Sequence, residues 1–141
     1  MRKHFFRLTL CAMLLAFCTS AEAQQAGKVR RIGFLDASSA SGITGLLAAL
    51  WQEMGKLGWI EGKNITIEYR FAEQKFERLA ELAAELVRLN IELVVAAGTP
   101  AALAAKKATT SIPIVIPNTG NPVAAGLVVS LARPGGNVTG S

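Results

Sequence analysis

The chain has 141 residues and a mass of 14.9 kDa, which fits one compact domain better than two. Hydrophobic residues at 51% and charged residues at 18% provide for a packed core and exclude a disordered chain. The 15 Lys and Arg against 10 Asp and Glu leave a net charge of +5, too small an excess to mark a nucleic-acid surface by itself.

The first residues read as an export signal. Arg2, Lys3 and Arg7 form a basic start, Leu8 to Cys18 an apolar run, and Ala21-Glu22-Ala23 puts small residues at the two positions a signal peptidase reads. The run is about half of the roughly 20 residues that span a bilayer. A buried N-terminal helix would explain the run but not the order of basic start, apolar run and small-residue site. A lipoprotein anchor at Cys18 is disfavoured by the bulky Phe17 before it. The expected division is therefore a signal peptide over residues 1–23, a mature domain over 24–141, and a periplasmic location. Cleavage removes Cys11, Cys18 and His4 and lowers the net charge to +3. A mature chain without Cys or His has no Ser-His-Asp or Cys-His nucleophile system, no Cys or His zinc site and no disulfide. No catalytic residue, metal ligand or cofactor is expected.

The mature chain alternates strand and helix patterns. Arg31-Ile32-Gly33-Phe34-Leu35 reads as a short buried strand. Gly42 to Leu57 comes next as a helix with Leu46, Leu47, Leu50, Trp51, Met54 and Leu57 on its inner face, closed by Gly58 as a left-handed cap. Ile65, Ile67, Tyr69 and Phe71 alternate with Thr66, Glu68 and Arg70, a strand with one buried and one wet face that belongs at a sheet edge. Phe76 to Leu89 is a helix packing through Leu79, Leu82, Ala83 and Leu86, with Glu77, Arg78, Glu81, Glu85 and Arg88 as its solvated surface. Leu93 to Ala97 is continuously apolar, as for an interior strand covered on both faces.

Thr99 as N-cap and Pro100 at the first helical position open a third helix to about Ala108. Ile114 to Ile116 is a fourth strand. Asn121-Pro122 repeats the cap-and-proline signal for a helix to about Leu131, and Asn137-Val138-Thr139 starts a fifth strand after the Pro134-Gly135-Gly136 turn. This alternation predicts an α/β fold: a doubly wound parallel sheet in the order 2-1-3-4-5.

Ligands of such sheets bind beyond the carboxyl ends of the strands. Those ends carry Asp36, Ser38, Ser39 and Ser41, then Glu73, then Gly98 and Thr99, then Asn118, Thr119, Gly120 and Asn121. Most are small neutral hydrogen-bonding groups beside helix N-termini, whose free N–H groups favour an anion such as a carboxylate. The pattern is one of recognition, not proton transfer. Thr99 and Asn121 also serve as plain helix caps, and Gly98 as a tight turn. Asp36 is the only Asp in the chain, and no acid follows the third strand, so a phosphoacceptor site is excluded. Neither GxGxxG after the first strand nor GxxxxGK[ST] anywhere is present. The glycosylation-type patterns at Asn64 and Asn137 are read as chance matches.

Several runs together resemble the first half of ABC-transporter substrate-binding proteins of the tryptophan/tyrosine-binding type. They are Arg31 to Leu35, Leu57-Gly58-Trp59-Ile60-Glu61-Gly62-Lys63-Asn64-Ile65, Ile67 to Ala72, Ala96 to Ala102, Ile112 to Val115, and Leu131-Ala132-Arg133-Pro134-Gly135-Gly136-Asn137-Val138-Thr139-Gly140. The resemblance spans nearly all of residues 30–141. It implies one lobe of a type 1 periplasmic-binding fold, without the second lobe, in which Ser38, Ser39, Gly98, Thr99, Asn118, Thr119 and Asn121 face the ligand cleft. Proteins of this type often carry Asp where this chain has the neutral Asn121.

The resemblance further implies a non-enzymatic, exported solute-binding component of an ABC importer. Its expected partners are a small, aromatic amino-acid-like solute and an ABC permease subunit in the membrane, with no nucleic acid. The chain is expected to be a truncated, one-lobe product. A periplasmic sensing module that docks on a receptor ectodomain is the alternative reading of the same fold and signal.

Overall fold

The computed structural model describes residues 27–117, 120–128 and 135–140. The signal peptide expected over 1–23, with its cleavage site after Ala23, lies outside them. Five parallel strands form one sheet in the order β2-β1-β3-β4-β5. The strands are β1 (Arg30–Asp36), β2 (Ile65–Phe71), β3 (Leu93–Ala97), β4 (Ile114–Val115) and β5 (Val138–Thr139). The helices are α1 (Thr44–Lys56), α2 (Leu79–Arg88) and α3 (Thr99–Ala108), with short 3-10 turns over Ala40–Ile43 and Phe76–Arg78. The expected topology is thus the observed one, with β2 at an edge and β3 inside.

The core lies between the sheet and the pair α2 and α3. Leu79, Leu82, Ala83 and Leu86 of α2 are all buried, the four positions the helical spacing selects. With Ala101, Ala102 and Ala105 of α3 they pack on Leu35, Val94, Ala96 and Ile114. Alanines on α3 keep that helix close to its neighbours. Arg70, on the wet side of β2, pairs with Glu85 of α2 at 2.9 Å. The charged strand face is therefore tied to the solvated edge of a helix.

The other face departs from expectation. Helix α1 has no buried residue, and Leu46 and Leu57 of its predicted inner face are 57% and 74% exposed. Its firmest anchor is polar: the Trp51 indole N–H donates to the Tyr69 hydroxyl at 2.8 Å. The predicted cap is present, with the Trp59 N–H donating to Met54 O at 2.9 Å and Gly58 at φ 85°. Continuous apolarity in β3 also overstates its cover. Val94 and Ala96 are buried, whereas Leu93, Val95 and Ala97 on the α1 side are half-buried.

One cap assignment changes and one predicted helix does not form as such among the described residues. The N-cap of α3 is Gly98, at φ 84° and ψ 160°, and Thr99 is already helical with no capping bond from its side chain. Asn121 does cap, accepting N–H donations from Val123 and Ala124 at 3.1 and 3.0 Å. Beyond Asn121 the backbone makes a set of turns up to the left-handed Gly126 (φ 70°), not a continuing helix, through the described residues to Val128. A glycine in that conformation ends the turn that Asn121 and Pro122 begin.

Candidate functional site

The alternation of β1 decides what its carboxyl end presents. Gly33 and Leu35 face α2 and α3, so Ile32, Phe34 and Asp36 face α1. The phase carries Asp36 into the structure, where it is 8% exposed. Its Oδ1 accepts the backbone N–H of Ser38 at 2.7 Å, which turns the chain sharply out of the strand. The same loop is joined to the loop after β2. Ala72 and Gln74 donate backbone N–H groups to Asp36 O and Ala37 O at 2.9 and 2.8 Å, and Glu73 donates to Ser38 O at 3.2 Å. Glu73 and Gln74 hold left-handed φ values of 53° and 65°, a backbone state that costs a non-glycine residue about 1 kcal/mol or more.

Asp36 pairs in register with Ala97, so Gly98 and the start of α3 stand next to it. The positive φ of Gly98 lets β3 turn directly into the helix, and its carbonyl accepts the first helical bond, from Ala102 at 3.1 Å. The N–H groups of Thr99 and Ala101 have no intrahelical acceptor, and Pro100 has no N–H to offer.

A cavity of about 410 Å³ opens between this end of the sheet and α1. Its walls are Phe34 and Val95 of the sheet, Leu46, Leu47 and Leu50 of α1, and a polar end formed by Asp36, Ser38 and Gly98. That volume lies in the range of small-molecule sites, about 300–1,000 Å³. A second cavity, about 430 Å³, lies at the opposite end of the strands between Met54, Trp59, Arg30 and Glu92. Its charges already satisfy each other: Arg30 donates to Glu92 at 2.6 Å, and this bond, with Lys28 nearby, holds the Glu92 carboxyl below the usual range. It sits at the amino ends of the strands, away from where parallel sheets bind ligands.

Of the residues singled out in the sequence, Ser38 and Gly98 line the first cavity. Ser39 and Thr99 adjoin it in the chain without lining it. The Ser39 hydroxyl accepts the Gly42 N–H at 3.3 Å and lies 3.0 Å from the Ser41 hydroxyl, so it organises the loop. Asn121 caps its own turn, and Asn118 and Thr119 lie outside the described residues. Asp36 joins the cavity although it is not among the expected site residues; its place on the inward phase of β1 is the signal that points to it. Leu46, Leu47 and Leu50, expected in the core, form a cavity wall instead. Among the described residues no group of acids, His or Cys is placed to hold a metal ion, and no helix is long and apolar enough to cross a membrane.

A family model for ABC transporter substrate-binding proteins matches residues 34–141. The chain belongs to that family. That family is one of non-enzymatic, extracytoplasmic proteins. It is 40% identical over 84 residues to a tyrosine-binding protein of Clostridioides difficile, covering 60% of this chain and 24% of that protein. Its fold is similar to the ligand-free, open structure of a substrate-binding protein with adhesive properties from Clostridium difficile, with a TM-score of 0.73, 33% identity, and coverage of 79% of this chain and 38% of the other. It is similar also to the ABC domain from Streptococcus pneumonia in complex with L-Trp, with a TM-score of 0.73, 28% identity, and coverage of 80% and 38%. The chain therefore spans well under half the length of these relatives.

Proposed function

We propose that this chain is the exported solute-binding component of an ABC importer, and that its solute is a small, aromatic amino-acid-like molecule. One observation carries the reading. Two adjacent parallel strands bring Ser38 and Gly98 to a single pocket at the carboxyl edge of the sheet, beside the free N–H groups of α3. A carboxylate is the natural guest of such a helix start, and an apolar side chain is the natural guest of the Phe34 and Leu47 wall. The named ligands of two relatives, tyrosine and L-Trp, support that class of solute.

The exported form begins at Gln24, released in the periplasm by cleavage after Ala23 and handed to a permease subunit. Residues 24–141 supply one lobe of a two-lobed cleft, so the affinity of this lobe by itself is expected to be weak, with Kd on the order of millimolar. N-terminal sequencing of the protein from a periplasmic extract tests the processing: a start at Gln24 is expected, and a start at Met1 overturns it. An NMR titration of the purified mature chain with L-tryptophan and L-tyrosine tests the binding. The amides of Ser38, Gly98 and Thr99 are expected to shift in a saturable way. Unmoved amides at millimolar ligand would end the solute-binding reading, and micromolar or tighter affinity would end the half-cleft one.

A further inference from the structure

Among the described residues, Asp36 is the one charged side chain on the wall of the carboxyl-end cavity. It is 8% exposed, and its Oδ1 is occupied by the Ser38 N–H at 2.7 Å. Its Oδ2 has neither a hydrogen-bond donor nor an ion-pair partner among the described residues, whose ion pairs all involve Glu53, Glu68, Glu85 or Glu92. A carboxylate withdrawn from bulk water among apolar side chains is costly unless something supplies a donor and a compensating charge. No described Lys or Arg lines the cavity, so among the described residues no cation stands beside this carboxylate.

The adjoining elements limit what that cation can be. The wall of Leu46, Leu47, Leu50 and Phe34 accepts an apolar body. The start of α3 follows Ala97, the register partner of Asp36, so an anion-favouring helix end stands one strand away from an anionic side chain. A cationic and an anionic subsite side by side above an apolar wall suit a zwitterion with a short spacing between its charges. We infer that Asp36 is the residue that selects for a primary ammonium group on the solute, with the solute's apolar part against α1. The assignment rests on the solute-binding reading above and adds the feature that separates an amino acid from the corresponding carboxylic acid.

The test uses the mature chain, the Asp36→Asn variant and three probes that share an indole: L-tryptophan, tryptamine and indole-3-propionate. Asn keeps an Oδ1 acceptor for the Ser38 N–H while it removes the charge and turns the second oxygen into an NH2 donor, so the loop is expected to hold its shape, checked by unchanged amide shifts away from the cavity. NMR titrations of wild type are expected to show tryptamine and L-tryptophan shifting the Ser38 and Gly98 amides. In Asp36→Asn the apparent Kd of both is expected to rise at least ten-fold, while that of indole-3-propionate changes by less than two-fold.

Equal L-tryptophan affinity in the two proteins would overturn the role of Asp36 and leave the solute-binding reading standing. Tryptamine binding that depends on Asp36, without any binding of L-tryptophan, would keep the ammonium site and overturn the amino-acid reading. No response of wild type to any probe would overturn both. An equal loss for all three probes would mark Asp36 as a structural residue and overturn the assignment.

Discussion

Leu35, Val94, Ala96 and Ile114 on one face of the sheet are each 2% exposed or less, under two helices that bury their whole inner stripe. On the opposite face Val95, Leu93 and Val115 stay half-buried, and the single helix above them buries no residue of its own. The inner faces of α1 and α2 are both leucine-rich, so hydrophobicity alone does not separate them. What separates them is the number of elements laid on each side of a parallel sheet, which needs cover on both. Both of the cavities described above lie on the lightly covered side, one at each end. The filled face supplies most of the core, whereas the α1 face buries Phe34, Ile65 and Ile67 but leaves space beside them in which a ligand can be held.

Mutations on the two faces sharpen this contrast. The largest effect is expected from Leu86→Ala in α2, a fully buried side chain on the filled face, at about 2–5 kcal/mol of lost stability in urea unfolding. Gly33→Ala comes next, at about 1–3 kcal/mol, because its new Cβ would stand 2.6 Å from Ile91 Cδ1 and 3.1 Å from the Leu86 methyls. An unchanged midpoint for either variant would mean that this face is less tightly packed than its burial indicates.

Tyr69→Phe is expected to cost about 1 kcal/mol by removing the acceptor of the Trp51 N–H, the bond that ties α1 to the sheet. The same residue sets a pH dependence. Burial holds the Tyr69 hydroxyl above its ordinary value of 10.0, against the opposing pull of the Trp51 hydrogen bond. Its contribution is therefore complete below pH 10 and is lost as pH rises through the folded-state value. A pH series of unfolding midpoints should fall more steeply above pH 10 in wild type than in Tyr69→Phe, and parallel curves would contradict it. The smallest effect is expected from Leu46→Ala, within about 0.5 kcal/mol, because that leucine is more than half exposed. A loss comparable to Leu86→Ala would erase the difference between the two faces.

The site is partly legible in the residues. Parallel sheets bind ligands at their carboxyl strand ends, and Ser38 and Gly98 are neighbours there because β1 and β3 are adjacent. The Thr99-Pro100 pair fits a helix start at Thr99 as well as at the residue before it, and only the positive φ of Gly98 settles which. Asp36 is visible in the sequence as the only Asp, but its burial depends on the phase of β1 and on α1 lying over it. Asn118 and Thr119 lie outside the described residues, so their place in the cleft stays an expectation from the resemblance.

The sequence by itself determined the order of the five strands and the first three helices, the edge position of β2 and the inner stripe of α2. These are local properties: residue periodicity and cap chemistry act over a few neighbours, and a right-handed crossover then leaves few topologies. Tertiary structure alone decided how much cover each face receives, and with it the exposure of Leu46, the cavity beneath α1 and an Asp36 oxygen without a partner among the described residues. Periodicity states which side chains share a face. It does not state what is placed against that face, because burial depends on contacts with chain segments far away in sequence.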